Sequence, residues 1–269
     1  MSMIQTLTSF ANPQIKMLRS LHEKKHRARE GLFLAEGMRV VLEAVEAGYT
    51  PAYLIYGPSV RDHAVLKRLV RQTLDGKGRV IETSNEILSK LARKDNPQMI
   101  AAAFELFDMS LDRLDVRQAD IWLAAQSLKD PGNLGTLLRT ADAVGAGGVI
   151  LIDQSCDPFS TEAVRASMGG LFSVAVAEAH WDAFLVWASA GKADIIGATL
   201  DTTQDYQAVI YRKPSVILLG NEQSGLPEAY EQKCTHLVKM PMLGKADSLN
   251  VAISGAVLAY EVLNQFRRH

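Results

Sequence analysis

The amino-acid sequence predicts an α/β protein built as two successive domains. Three observations predict it. Short apolar runs of strand length alternate with amphipathic helical stretches along nearly the whole chain. One acidic stretch without a strand pattern, FDMSLDRLDVRQAD at residues 107–120, interrupts that alternation. The 269 residues, 48% apolar, suffice for two packed cores, and a net charge of −1 argues against disorder.

The elements follow in order. Asn12 to about Glu30 reads as one helix, with Ile15, Leu18 and Leu21 on one face and a basic opposite side. GLFLAEG is a strand, Met38 to Ala47 a helix, AYLIYG a strand and Asp62 to Thr73 a helix. GRVIET, Asn85 to Ala92 and MIAAAFEL complete a small α/β domain at residues 1–105. Residues 106–118 read as a linker and 119–269 as the second domain. There IWLAAQ is a strand, Leu134 to Val144 a helix and GGVILID a strand. STEAVRASMG, LFSVAVAE, WDAFLVWASA, DIIGATL, SVILLG, PEAYEQKC and HLVKMP continue the alternation, and a long helix runs from about Ser248 to Arg267. Such alternation predicts a mostly parallel sheet covered by helices, with ligands beyond the carboxyl ends of its strands.

Composition narrows the function. The near-neutral charge does not advertise nucleic-acid binding, so such a claim has to rest on local charge. Cys156 and Cys234 stand far apart with no CxxC spacing, which excludes a disulfide framework and fits a reducing cytoplasm. The start, MSMIQTLTSF, has neither a basic lead nor a long apolar run, and no apolar stretch reaches membrane-spanning length, so no membrane association is expected. His22 and His26 have i, i+4 spacing, but the surrounding Lys24, Lys25, Arg27 and Arg29 would repel a cation, so no metal is expected.

Three motifs carry chemistry. In DPGNLGTLLRTADAVGAGGVILID, residues 130–133 form a turn suited to capping a helix, and Arg139 follows Asn133 by nearly two helical turns. Taken alone, these read as a cap and a surface arginine. GAGG lies after a helix and before a strand, the wrong order for a dinucleotide fingerprint. In LLGNEQSGLPE, Gly220 and Gly225 allow close backbone approach, Pro227 suits a helix start, and no Walker lysine is present. Glu222 there would repel phosphate but accept hydrogen bonds from amines or hydroxyls; the alternative is an ordinary turn with an exposed acid. In KMPMLGKADSLNVAISGAVLAYEV, Ser-Leu-Asn at a helix start groups a hydroxyl, an amide and free N–H donors, and Ser248 alone reads as a cap.

Taken together, Asn133-x-Gly135-x-x-x-Arg139, LGNEQSGLP and PMLGKADSLNV resemble the SpoU (TrmH-like) class of the SPOUT RNA methyltransferases, in order and spacing over about 150 residues. NPQIKMLRSLHEKKHRAREGLFLAEGMRVVLEAV resembles that family's substrate-binding domain, which is similar to RNA-binding ribosomal proteins. The resemblance implies a C-terminal trefoil-knotted domain with a parallel sheet and a smaller N-terminal α/β RNA-binding domain. It implies methylation of a ribose 2′-hydroxyl in RNA from S-adenosylmethionine, held bent in the knot by backbone groups of the second and third motif loops. Carried over, Gly220, Met240 and Leu249 line the cofactor, with Thr199 and Leu200 near its adenosine. Arg139, Asn133, Glu222, Ser248 and Asn250 form the catalytic set. Arg139 holds the target phosphate and polarises the hydroxyl, because a guanidinium is a poor base. Glu222 fixes the motif loops, a base role being the weaker alternative.

Lys16, Arg19, Lys24, Lys25, Arg27 and Arg29 form the local basic segment, read either as a solvated helix face or as phosphate contacts; beside an RNA-binding-like domain, phosphate contact is expected. The separate N-terminal domain points to ribosomal rather than transfer RNA. The family implies a homodimer, and Val251, Val257, Leu258 and Val262 exceed what one apolar stripe needs. A transfer-RNA methyltransferase and a non-catalytic RNA-binding protein of the same fold remain the alternatives.

Overall fold

The computed structural model describes residues 4–93 and 98–268. It divides into two units, Met1–Phe107 with Asp157–Ser173, and Asp108–Cys156 with Val174–His269. The second unit therefore starts inside the expected linker. Residues 157–173, read as part of the second domain, belong to the first unit.

In the first unit the elements are β1 (Gln5–Leu7), α1 (Pro13–Ser20), α2 (Lys24–Glu30), β2 (Leu32–Glu36), α3 (Met38–Glu46), β3 (Tyr53–Tyr56), α4 (Ala64–Asp75), β4 (Arg79–Thr83), α5 (Asn85–Ala92) and β5 (Ile100–Glu105). The sheet order is β1-β4-β3-β5-β2. It is mixed: β1 and β3 run parallel to β4, while β5 is antiparallel to both β3 and β2. Alternation along β2 sends Leu32 and Leu34 to one face, where they join Ile15 and Leu18 of α1 and Ile87, Leu88 and Leu91 of α5. Phe33 points to the other face, against Phe104, Phe107, Phe159 and Phe172 with ring centroids 4.8–6.2 Å away. Phe159 and Phe172 come from the inserted segment, which explains its membership.

The helix expected from Asn12 to Glu30 is broken. Asn12 caps α1 by accepting from the Gln14 N–H at 2.8 Å, and Pro13 opens it. Leu21–Glu23 then turn the chain, and α2 ends at Gly31 with φ 67°. Arg27 holds the break: its Nη1 donates to the carbonyls of Leu21 and His22 at 2.8 and 2.9 Å, and its Nη2 to Asp157 Oδ2 at 2.7 Å. Carbonyls orphaned where α1 stops are thereby satisfied by one buried guanidinium.

The second unit has β6 (Ile121–Gln126), α6 (Pro131–Val144), β7 (Gly148–Ile152), β8 (Ala175–Ala179), α9 (Trp181–Ala190), β9 (Asp194–Ala198), β10 (Ser215–Leu219), α10 (Glu228–Glu231), β11 (His236–Val238) and α11 (Val251–Arg268); α7 (Thr161–Ala166) and α8 (Gly170–Ser173) lie in the inserted segment. Residues 171–173, expected to begin a strand, thus lie in a short helix, with β8 starting after it. All pairings in the order β11-β9-β10-β6-β7-β8 are parallel, as the alternation predicts. One core gathers Trp122, Ala124, Ile150, Ile152, Phe184, Val216 and Leu218. Helix α11 packs on α6 and on β10 and β6. Their approach is close at Gly255, where a Cβ would stand 2.7 Å from Leu137 Cδ2 and 2.8 Å from Leu219 Cδ1.

Candidate active site

Beyond the carboxyl ends of β9, β10 and β11 lies a cavity of about 750 Å³, a volume suited to a small organic ligand. Thr199, Leu200, Gly220, Met240 and Leu249, the five residues carried over as cofactor contacts, all line it, together with Glu222, Ser248 and Asn250. Asn133 and Arg139 do not.

The loop after β10 is closed on itself. Asn221 and Gly225 exchange backbone hydrogen bonds at 3.1 and 3.0 Å, and Asn221 Oδ1 accepts from the N–H groups of Gln223 and Ser224 at 2.9 and 3.2 Å. Gly225 has φ 67°, where a side chain is strained. A Cβ on Gly220 would stand 2.3 Å from the Gly225 carbonyl carbon and 2.4 Å from the Leu226 nitrogen. Gly220 is therefore required first by the loop's own backbone, whatever the cavity holds.

Glu222 joins the three motifs. Its Oε1 accepts from the Asp130 N–H at 3.0 Å and from Asn133 Nδ2 at 3.2 Å, and both oxygens lie 3.2 Å from the Lys129 N–H. Asn133 Oδ1 accepts from Asn250 Nδ2 at 2.9 Å. Desolvation works to raise the Glu222 carboxyl, but the hydrogen bonds from Asp130, Asn133 and Lys129 outweigh it and hold the group below its ordinary value. An ionised carboxylate already engaged by these donors is suited to fixing loops and ill suited to accepting a proton.

Two local readings change. Asp130 is the N-cap of α6, accepting from Gly132 and Asn133 N–H at 2.6 and 3.0 Å, and Pro131 opens the helix, so Asn133 already lies inside it. Helix α11 begins at Val251, and its cap is Asn250, whose Oδ1 accepts from Ala252 N–H at 2.9 Å and Ile253 N–H at 3.3 Å. Ser248 is not that cap; it is exposed at the cavity wall. Arg139 is exposed on α6, and its side chain makes no hydrogen bond or ion pair among the described residues.

Four charged wall residues carry no signal of their own in the sequence: Asp201, Glu228, Glu231 and Lys239. They follow β9, sit on α10 or follow β11, and only their position past strand ends marks them. Ser254, left without a role, also lines the wall. Three acids beside Glu222, against a single lysine, disfavour a phosphate chain and suit ligand hydroxyl and amino groups.

On the first unit, Lys16 and Arg19 are exposed on α1, and Lys24, Lys25 and Arg29 on α2. Lys25 pairs with Glu23 at 3.1 Å and Arg29 with Glu30 at 2.8 Å. Arg27 is 4% exposed and engaged as described, so it is a structural residue and not an RNA contact. His22 and His26 are not a ligand pair: His22 bonds the Leu91 carbonyl and burial lowers its basicity, while His26 faces Glu23. Among the described residues no group of three His, Cys, Asp or Glu is placed to hold a metal ion, and no helix is long and apolar enough to cross a membrane.

Known proteins are similar to this chain in both sequence and fold. Residues 120–260 match the SpoU rRNA Methylase family, and residues 12–102 the MRM3-like substrate binding domain. An AdoMet-bound rRNA methyltransferase structure from Sinorhizobium meliloti superposes with TM-score 0.89 at 36% identity, covering 97% of this chain and 98% of that one. The 23S rRNA (uridine(2479)-2′-O)-methyltransferase of Streptomyces viridochromogenes is 30% identical, over 91% of this chain and 87% of its own length. The 23S rRNA (guanosine(2553)-2′-O)-methyltransferase RlmP of Bacillus subtilis is 28% identical, over 96% and 99%.

Proposed function

This chain belongs to the SpoU rRNA methylase family, and from that premise we propose that it transfers the methyl group of S-adenosylmethionine to a ribose 2′-hydroxyl of ribosomal RNA. The observation that carries the reading is the convergence of the second and third motifs on one cavity, with the first motif tied to both through Glu222, Asn133 and Asn250.

The residues present fit S-adenosylmethionine. The cavity joins apolar walls from Leu200, Leu219, Met240, Leu249 and Val251 to acceptors from Asp201, Glu228 and Glu231, with no phosphate-binding cluster. When bound, this compound supplies an electrophilic methyl group on a sulfonium. The chain's own contribution is positioning. Glu222 fixes Asp130 and Asn133 against the loop after β10, and Asn133 in turn holds Asn250 at the start of α11. Ser248 and Asn250 present polar groups at the wall. Arg139, free of protein partners among the described residues, is assigned to the target phosphate, where its planar fork grips two oxygens. From there it stabilises the negative charge that develops on the ribose oxygen as its proton passes to bulk water. We assign Glu222 a positioning role and no proton transfer.

The two 23S rRNA relatives act on a uridine and on a guanosine, so family membership leaves the target nucleotide open. A homodimer and a cytoplasmic location, where ribosomes are assembled, belong to the same proposal. The test is incubation of the protein and labelled S-adenosylmethionine with unmodified 23S rRNA, 16S rRNA and transfer RNA, followed by mapping of 2′-O-methyl sites. Label in a single 23S rRNA nucleotide is expected; label only in transfer RNA, or none, overturns the proposal.

A further inference from the structure

We propose that the cleft between α1 and α5 is a second RNA-contact site, binding the sugar-phosphate backbone of the folded substrate; the inference rests on the RNA-methylating reading above. The cleft has a volume of about 540 Å³ and is lined by Lys16, Arg19, Lys90 and Arg93, with the hydroxyls of Ser20 and Ser89 and one acid, Glu23. Lys90 and Arg93 lie some seventy residues from the basic segment legible in the sequence, and only the fold brings them beside it.

These observations carry the assignment. The four cations are exposed, and none of their side chains makes a hydrogen bond or ion pair among the described residues. Three other exposed arginines of the same unit are engaged, Arg39 by Glu43 at 2.8 Å, Arg68 by Glu46 at 3.1 Å and Arg29 by Glu30 at 2.8 Å, whereas Arg71 is not. The single acid is itself occupied, with Lys25 at 3.1 Å and His26 at 3.7 Å from Glu23. The mounting is rigid: Ile15 and Leu18 of α1 share one core with Ile87, Leu88 and Leu91 of α5, Lys16 and Arg19 lie three residues apart on α1, and Lys90 sits in the last turn of α5 with Arg93 at its C-cap. Finally, Arg93 occupies the left-handed C-cap of α5, at φ 51° and ψ 39°, a position that favours glycine. Unpaired cations over a fixed platform match phosphate contacts, which position folded RNA without reading its sequence.

The test compares two double variants of the full chain that remove equal charge. Lys90→Gln/Arg93→Gln alters the cleft; Arg71→Gln/Lys77→Gln alters exposed cations of the same unit outside it. Binding of unmodified 23S rRNA is measured across a salt series, with calorimetry of S-adenosylmethionine alongside. The cleft pair should weaken RNA binding about tenfold or more and make the log–log salt slope shallower by about 1.5, roughly two lost phosphate contacts. The control pair should stay near wild type, and S-adenosylmethionine affinity should be unchanged in both. Arg93→Gly keeps the backbone position and separates the roles: RNA affinity should fall several-fold while the thermal midpoint holds. Equal losses in both pairs, an unchanged slope in the cleft pair, or displacement of the RNA by polyglutamate as readily as by duplex RNA would each overturn the cleft. If the cleft variant binds as wild type while methylation proceeds, the cleft alone fails. If the wild-type chain neither binds nor methylates RNA, the underlying reading fails with it.

Discussion

At the scale of single residues, Arg139 and Glu222 separate cleanly in what they predict. Arg139→Ala should abolish methyl transfer while S-adenosylmethionine affinity stays near wild type, and Arg139→Lys should remain severely impaired, because an ammonium lacks the planar fork. Single-turnover methylation beside calorimetric titration reads both, and wild-type turnover by the alanine variant would remove Arg139 from the mechanism. Glu222 has a folded-state value below its ordinary 4.5. Its stabilisation of the loops is therefore full above that ordinary value and is lost as pH falls through the lower folded one. S-adenosylmethionine affinity should drop over that acid range, and Glu222→Gln should bind weakly at neutral pH and lose this component of the pH dependence; an unaltered profile in the variant would show that another group controls it. Arg27 gives a stability prediction. Arg27→Ala leaves Asp157 unpaired and two carbonyls unsatisfied, at about 3 kcal/mol by denaturant titration, with the cavity of the other unit unaffected. From the sequence Arg27 was one cation in a basic run, since nothing local distinguishes a guanidinium that folds inward from five cations that do not.

Elements show where sequence reasoning reached and where it stopped. Strands such as IWLAAQ and helices such as Asn85–Ala92 and Trp181–Ala190 were legible to the residue, because their apolar spacing and flanking turns agree. The break between α1 and α2 was not, because Ile15, Leu18 and Leu21 keep helical spacing through it and the deciding partner, Asp157, is far away in sequence. β1 is three residues long, too short for any period to appear. The candidate site was legible as motifs, whereas the acids on its wall are ordinary surface residues until the strands are aligned. Gly220 is the instructive case. Its glycine was read as room for a ligand, yet the nearest atoms belong to Gly225 and Leu226. Gly220→Val should thus unfold the loop and weaken S-adenosylmethionine binding through it, visible as faster amide exchange across residues 220–226 without any ligand. Exchange at the wild-type rate would return the glycine's role to the cavity. Asn250→Ala, which removes both the cap of α11 and the tie to Asn133, should cost about 1–2 kcal/mol.

For the whole molecule, assembly and division are the open quantities. Leu258 and Val262, counted as surplus apolar surface, are fully buried in the protomer. The surplus lies instead in Ile253 and Tyr260, 50% and 47% exposed and two turns apart on α11, with half-buried Val257 between them. Ile253→Glu/Tyr260→Glu should convert the proposed dimer to a monomer in sedimentation; a wild-type monomer with full activity at micromolar concentration would dispose of the dimer. Removing residues 1–105, the natural cut from the sequence, strips Phe33 from Phe159 and strips Phe33, Tyr49 and Phe104 from Phe172. That truncation should aggregate unless residues 157–173 are also replaced by a short linker, whereupon S-adenosylmethionine binding should survive and RNA methylation fall sharply. The two-segment make-up of the first unit also sets a clock on synthesis. Its N-terminal segment leaves the ribosome complete at Phe107, but its aromatic core lacks two rings until Ser173 has been made. At about 5–20 residues per second that is a wait of roughly 3–13 seconds. During it Phe33 and Phe104 have no permanent cover, so in a living cell this nascent half-built unit is a natural client for chaperones, and slower translation of the intervening stretch lengthens its exposure.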